Sequence, residues 1–484
     1  MDIRGKLLEI VGAENFSDSS EVLETYSKDF SLVPPSMPNY VVKPKDAQEV
    51  QKVVTLANEH LVPVVPVSSQ VHFNGAAIPH EGGIIIDLSR MNNILEIDEL
   101  NRRVRIEAGV TWEQLTEELG KRNLRMIMPL LPHPQRSVVT DYLEREVPTN
   151  TVYDYGEPTQ SLEVVWPTGE IFRTGSASVT GYPDSPSKGG NPSGPGMDFY
   201  RLLQGAQGTI GIVTWANLKI EHQTKIDKLL LAPVGDMDYA NDFLYKILKL
   251  RIGQECLLLN DINLAAIISE DQQDFDKLKA SLPPWTLVLV ISGLLRRPEQ
   301  KIQYEEAALD KVLRDGFTEL SLGESLPSFP GLGRKLLPML RSPWPKDVPY
   351  WKNRYQGACQ SLFFITKPDM ASEFIGIMEA VAASYGYPIG DIGCYLQPIE
   401  HNRACQLEFN LFYNPADQVE VQQIQDLYHT AAQTLLDSGA FFSRPYGELA
   451  PMVYERAAGY AMALKRVKKV FDPNNVMSPG NLCF

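Results

Sequence analysis

The 484-residue chain is about three times the length of a usual single domain, so more than one packed unit is expected. Its 44% apolar and 22% charged residues are those of an ordinary globular chain, and no apolar run reaches the roughly 20 residues of a membrane-spanning helix. The 45 basic and 60 acidic residues leave a net charge of −15 with no basic patch interleaved with aromatics, which argues against nucleic-acid binding.

From the amino end, MDIRGKLLEIVGAENF lacks a signal-peptide pattern, so a cytoplasmic location is expected. VVKPKDAQEVQKVVTLANEH predicts an extended pair before Pro44 and then a helix capped by Asp46, with Val50, Val53, Val54 and Ala57 at helical spacing. LVPVVPV, GGIIIDLS and RRVRIEAG read as short strands, and TWEQLTEELGKRN as a helix capped by Thr111 that buries Leu115 and Leu119. Residues 176–198 are crowded with Ser, Gly and Pro and predict a surface loop.

From about Leu229 one pattern occurs twice. The first round is strand LLLAPV, a helix from Tyr239 to Arg251, strands CLLLNDINLAAII and TLVLVISG, and a helix from Pro298 to Arg314. The second is strand SLFFIT, a helix from Asp369 to Tyr385 with Phe374, Met378 and Val381 on one face, strands DIGCYLQPI and CQLEFNLFY, and a helix from Pro415 to Leu436. Two such rounds predict one antiparallel sheet with helices on one face and the other face free to cover something. The Pro-rich stretch between them is too long for an idle connection and is expected to wrap the site or a partner. A helix and a turn-rich tail close the chain, and the fold class is α+β.

Motifs for Rossmann, P-loop, α/β-hydrolase and zincin chemistry are missing. The seven histidines include no pair at helical spacing and the five cysteines no C-x-x-C, so neither a metal nor an iron–sulfur cluster is expected. Two segments carry chemistry. After Val67 the chain turns small and polar through Ser68, Ser69, Gln70, His72, Asn74 and Gly75, a loop able to aim backbone N–H groups at an anion. Gly205, Gly208 and Gly211 precede a strand and suit close approach of the backbone to a flat ring or sugar. Ordinary turns are the competing reading of both. In CQLEFNLFY, Gln406, Glu408 and Asn410 share the face opposite Leu407, Phe409 and Leu411, and Asp391, Tyr395 and Gln397 continue that polar face. Tyr350, Trp351 and Arg354 are read either as a further site wall or as packing.

Taken in order, YSKDFS, VVKPKDAQEVQKVV, PVSSQVHFNGAAIP, IIIDLSRMNNILEIDELNRRVRIEAGVTWEQL, SLEVVWPTGEIFRTG, GTIGIVT and VKKVFDPNNVMSPG resemble the vanillyl-alcohol oxidase and p-cresol methylhydroxylase family of FAD-dependent oxidoreductases. The resemblance implies an FAD domain built from residues 1–225 and 441–484 around a substrate or cap domain over 226–440. It implies that the loop Ser68, Ser69, Gln70, Val71, His72, Asn74 and Gly75 binds the diphosphate. RSVVTDYLERE would form the flavin-side strand and loop, with Ser137, Val138, Thr140 and Asp141 at the cofactor, and Gly208, Gly211, Ile212 and Val213 would form a second FAD segment. FFSRPYGE places Arg444 where the family carries its substrate-binding arginine, with Ser443 replacing a tyrosine and Tyr446 nearby. His133 is the titratable group nearest the position of the family's flavin-side acid and is expected to act as a base. Glu408 and Tyr395 join the catalytic set, and Gln397, Gln406, Asn410, Trp351 and Arg354 the substrate wall. The implied activity is hydride transfer from an alcohol-type or alkylphenol-type carbon to non-covalent FAD, with oxygen or a separate acceptor protein taking the electrons. The alternatives are a 2-hydroxy-acid dehydrogenase flavin subunit and a non-catalytic subunit of a larger complex. A homo- or hetero-oligomer with a sister subunit is expected.

Overall fold

A computed structural model of the protein describes residues 3–154, 156–179 and 190–484, so part of the loop expected over 176–198 lies outside the described residues. The described residues build three sheets. The first comprises β1 (Phe16–Ser17), β2 (Tyr40–Val42), β3 (Val64–Val67) and β4 (Ile84–Asp87) in the order β1-β2-β4-β3, with β2, β4 and β3 parallel. Helices α1 (Ile3–Val11) and α2 (Ser20–Thr25) precede β2, and α3 (Ala47–His60) makes the crossover to β3. As its sequence predicts, α3 is capped by Asp46, whose carboxylate accepts from Glu49 N at 2.8 Å, and it buries Val50, Val53, Val54 and Ala57.

The second sheet holds β5 (Ile94–Asp98), β6 (Arg103–Glu107), β7 (Leu124–Met126), β8 (Thr159–Val165), β9 (Ile171–Arg173) and β10 (Ile212–His222). Its order is β5-β6-β10-β8-β9, with β7 paired to β10. Helix α4 (Trp112–Gly120), capped by Thr111, packs Trp112, Leu115 and Leu119 into its core. Between β7 and β8, RSVVTDYLERE forms helix α5 (Val138–Leu143) rather than the expected strand and loop, because Ser137 Oγ caps Thr140 N at 3.1 Å. A short helix, α6 (Tyr200–Leu203), leads to the glycine-containing approach to β10.

The third sheet is antiparallel throughout, in the order β11 (Ile226–Val234), β13 (Trp285–Gly293), β12 (Glu255–Asn260), β15 (Ile392–Ile399), β16 (Ala404–Tyr413) and β14 (Ala358–Thr366). One face packs against α7 (Met237–Lys249), α10 (Pro298–Gly316), α12 (Ala371–Ser384) and α13 (Gln418–Asp437). Two further segments partly cover the other face. The run 256–268, expected as one strand, turns at Asn260 into α8 (Asp261–Ile268), since the Asn260 side chain accepts from Asn263 N at 3.1 Å. An apolar run with no alternation cannot by itself tell a strand from a buried helix. Helix α9 (Gln272–Ser281) follows, and the Pro-rich connection contains α11 (Leu332–Leu340). Helices α8 and α11 lie on Leu229, Leu231, Leu257, Leu259, Val288 and Val290, leaving the polar face of β14, β15 and β16 to look toward the amino-terminal part. Register places Tyr395 opposite Glu408 and Gln397 opposite Gln406, so the polar face expected from alternation is real for these four, whereas Asp391 falls outside it, in a short helical turn before β15.

A half-buried ion cluster around the buried Glu255 joins the second and third sheets. Arg125 meets Glu221 at 3.2 Å and Glu255 at 3.1 Å, while Arg341 meets Glu255 and Asp227 at 3.0 Å each. Three carboxylates thus share two guanidiniums. Burial, with Asp227 and Glu221 adding to it against the pull of Arg125, raises the Glu255 carboxyl to about 7. A carboxyl whose folded pKa is raised adds stability below its unfolded value and loses that contribution as pH rises through the folded one. Wild-type stability should therefore contain a component that falls between about pH 4.5 and 7. Denaturant titrations across that range should show Glu255→Gln lacking this component, and parallel pH profiles for the two proteins would refute it.

The chain closes with α14 (Leu449–Arg456) and α15 (Ala458–Phe471), after which the tail inserts beside β3. Buried Lys468 of α15 donates to Thr209 O and Met477 O at 2.7 Å and pairs with Asp472 at 2.6 Å. That ammonium fixes the last helix to the loop before β10.

Candidate active site

The loop that leaves β3 and helix α5 run side by side between two cavities. Ser68 Oγ and Thr140 Oγ1 are hydrogen-bonded to each other, and Val71 O accepts from Arg136 Nη1 at 3.2 Å. One cavity is lined by Ser68, His72, Thr140, Leu203, Gln207 and Val213, together with Gly208, Gly211 and Ile212. The other is lined by Phe73, His133, Arg136, Asp141, Glu146, Tyr350, Trp351, Lys352, Tyr395, Gln406 and Glu408.

Among the described residues, the N–H groups of Ser69 to Asn74 find no acceptor within the chain, whereas Gly75 N donates to Asp29 Oδ2 at 2.7 Å. Ser69 and Val71 are nevertheless buried. Orphaned backbone donors in a buried loop are costly unless a ligand completes them. Gly75 is required by its own backbone: at φ +81° a Cβ would stand 2.4 Å from Val33 Cγ2. At Gly208 and Gly211 a Cβ would strike Pro66 and Val164, at 2.9 and 2.7 Å. These two glycines therefore let the loop press on its own strands, and the expected approach to a ring or sugar is not what demands them.

The second cavity combines aromatic walls with matched charges. Tyr350 stacks on Phe73 at 5.5 Å between centroids and meets His133 edge-on at 5.2 Å. Arg136 pairs with Asp141 and, at 2.6 Å, with Glu144; Lys352 pairs with Glu408 at 2.5 Å and Arg444 with Glu146 at 2.7 Å. Burial raises the Asp141 carboxyl to about 6 against the opposing pull of Arg136. Burial, aided by Arg136, lowers His133 to about 4, so its ring is neutral near pH 7. His133 Nδ1 accepts from Gln135 N at 3.3 Å, which puts the proton on Nε2. The imidazole thus offers a donor, not the base expected from sequence. Trp351 Nε1 is buried and has no partner among the described residues, leaving an indole N–H for a guest.

A third, larger cavity lies on the other side of Arg444 and takes in Asn74, Tyr446, Phe363, His80 and His429. Arg444 is buried between the two spaces, donating to Gln406 Oε1 at 3.0 Å with its guanidinium 4.1 Å from the centroid of the Phe363 ring. Several sequence candidates fall elsewhere. Arg354 donates to Glu270 O at 2.9 Å and stacks on Trp344, away from the cavity, because the turn at 351–353 directs it outward. Gln397 is tied to the Cys256 and Pro398 carbonyls at 3.0 Å and accepts from Tyr395 OH at 2.6 Å, so it orients Tyr395. Asn410 is held by Ser361 and Asn263 within the sheet. Val138 points into the core of the second sheet, Ser137 Oγ bonds Ala108 O at 2.6 Å, and Gln70 is exposed beside Tyr26. Arg136, Glu144, Glu146 and Lys352 escaped the sequence reading. The one sign of Arg136 was its place at the head of RSVVTDYLERE, a segment the resemblance had already brought to the cofactor.

The sequence pattern of the FAD binding domain matches residues 38–175. Glycolate oxidase subunit GlcD of Bacillus subtilis (strain 168) is 25% identical over 504 aligned positions, covering 99% of this chain and 96% of that protein. Among solved structures, p-cresol methylhydroxylase with substrate bound superposes with a TM-score of 0.85 at 17% identity, over 100% of this chain and 96% of that one. The chain thus carries an FAD binding domain in residues 38–175. Its fold is shared too with the isoeugenol complex of 4-ethylphenol oxidase from Gulosibacter chungangensis, at TM-score 0.84 and 17% identity over 99% and 96% of the two chains. The protein is an FAD-dependent oxidoreductase, the class shared by the matched domain, the full-length relative and the structural neighbours. The residues present fit that cofactor: the orphaned amides of Ser69 to Asn74 and the hydroxyls of Ser68 and Thr140 form a donor set for a diphosphate, with a largely apolar cleft on one side and an aromatic one on the other. Among the described residues no group of His, Cys, Asp or Glu could hold a metal ion, and no helix is long and apolar enough to cross a membrane.

Proposed function

We propose that this protein takes hydride from the alcohol-type carbon of an uncharged substrate seated among Phe73, Tyr350, Trp351 and Tyr395. FAD, when bound, supplies the two-electron acceptor. The loop 68–75 would hold the diphosphate, and the cavities beside Val213 and beside Arg136 and Glu408 would receive the two ends of the cofactor. Lys352 fixes the Glu408 carboxylate, whose Oε2 accepts from Gln406 Nε2 at 3.2 Å and stays positioned to accept a substrate hydroxyl. Trp351 Nε1 and His133 Nε2 offer donors to substrate oxygen.

The observation that carries the uncharged substrate is the charge count: Arg136, Lys352 and Arg444 already face Asp141, Glu144, Glu146 and Glu408. A substrate carboxylate would add another anion with no free cation to receive it, and an uncompensated buried charge costs about 3–5 kcal/mol. A second reading, a 2-hydroxy-acid dehydrogenase, is favoured by the full-length similarity to the glycolate oxidase subunit. Anaerobic addition of 4-hydroxybenzyl alcohol, benzyl alcohol, glycolate and D-lactate to the holoprotein separates the two. The alcohols are expected to bleach the flavin absorbance about a hundredfold faster than the acids; preferential bleaching by glycolate or D-lactate would establish the second reading instead.

The proposed attachment is non-covalent. His72 is half-buried with Nε2 bonded to Ser69 O at 2.6 Å, and His401 sits in the hairpin between β15 and β16, outside the cavities described above. Residues 1–225 and 441–484 are proposed as the cofactor-holding part and 226–440 as the cap, a division supported by the third sheet falling wholly within 226–413.

A further inference from the structure

We infer that the groove between α14, α15 and the carboxy-terminal tail docks an acidic segment of a partner protein. The groove runs along the surface and takes in Tyr454, Glu455, Met462, Lys465, Arg466 and Lys469, with Cys483 at its floor. In a chain of net charge −15, α15 holds four basic residues and no acidic one. Lys468 is spent inside the fold on Asp472, while Lys465, Arg466 and Lys469 have no carboxylate partner among the described residues. The nearest polar contact of Arg466 is Met462 Sδ at 3.8 Å.

Helical spacing gathers these three cations with Met462 and Val470 on one outward face, and the last two are 53% and 75% exposed. Unpaired cations beside exposed methionine and valine, with Glu455 as the single acid in the groove, complement a segment that carries carboxylates around an apolar side chain. Two features favour protein over a lipid surface. The site is a concave groove between two helices, into which a side chain can insert. Its helix is also pinned at three points through Lys468, so α15 is not free to roll its apolar residues into a bilayer. Because Lys468 reaches Thr209 O in the loop that borders the first cavity, a partner seated here rests on the element that walls that cleft.

The test uses the holoprotein and a fluorescein-labelled peptide of repeating leucine and glutamate, read by fluorescence anisotropy at low ionic strength. Binding is expected, weakened about tenfold or more by the triple variant K465E/R466E/K469E and by replacing the peptide's glutamates with glutamine. Hydrogen exchange should slow in α14, α15 and the tail on peptide addition, with flavin content unchanged in the variant. No binding, binding indifferent to the triple variant, or co-flotation with anionic phosphatidylglycerol vesicles in place of peptide binding would overturn the inference.

Discussion

Replacing Arg444 with alanine is expected to destabilise the protein by about 3 kcal/mol near neutral pH and to slow flavin reduction by substrate. The guanidinium is buried, pairs with Glu146 at 2.7 Å and holds Gln406 Oε1 at 3.0 Å. Its removal strands the Glu146 carboxylate, which works against its own desolvation and is kept below the usual carboxylate range chiefly by Arg444, with Arg136 next. A depressed folded pKa contributes stability above the unfolded value that is lost as pH falls through the folded one. The deficit of Arg444→Ala should therefore be largest at neutral pH and shrink in acid, where Glu146 is protonated in both states. Denaturant unfolding at several pH values checks this, and the double variant Arg444→Ala with Glu146→Gln should recover most of the loss. A deficit independent of pH would show that packing on Phe363, not charge, is what Arg444 contributes.

Arg136→Met is expected to be the most damaging single change to cofactor binding, weakening FAD affinity by about tenfold or more and lowering stability by about 3–5 kcal/mol. The same guanidinium pairs with buried Asp141 and with Glu144, and it donates to Val71 O in the loop. Its loss unpairs two carboxylates and releases the backbone of the loop proposed to bind the diphosphate. Asp141 also accepts from Trp112 Nε1 at 2.6 Å, so the disturbance reaches α4. Apoprotein titrated with FAD by flavin fluorescence gives the affinity directly. A variant that binds FAD as tightly as wild type would separate the loop's geometry from Arg136.

Much of the fold was legible because its signals are local. Asp46 and Thr111 cap helices whose apolar spacing needs only their own segments, and the alternation in 405–413 separated a core face from a polar one before any partner strand was known. The reading failed where local signals are degenerate. Leu264 to Ile268 is apolar on every side, so it reads as strand or helix alike, and only the Asn260 cap and the packing of α8 on the sheet decide. For RSVVTDYLERE the family resemblance implies a strand and loop, while Ser137 and its capping geometry make it a helix. Arg354, open in the sequence to a site wall or to packing, is sent by a turn toward Glu270 O.

The candidate site divides along the same line. The small-residue loop after Val67 and the polar strand face with Glu408 follow from residue type and periodicity, which are properties of a single segment, while Arg444 is implied by the family resemblance alone. The pairing of Arg136 with Asp141 and Glu144, of Lys352 with Glu408 and of Arg444 with Glu146 brings together positions up to 298 residues apart, and no single segment encodes it. Composition and pattern by themselves determined an α+β chain with a small, polar loop after β3 and a sheet with one polar face. Only tertiary structure decided which charges meet, because a buried ion is tolerated where packing supplies its partner, and that partner arrives from another part of the chain.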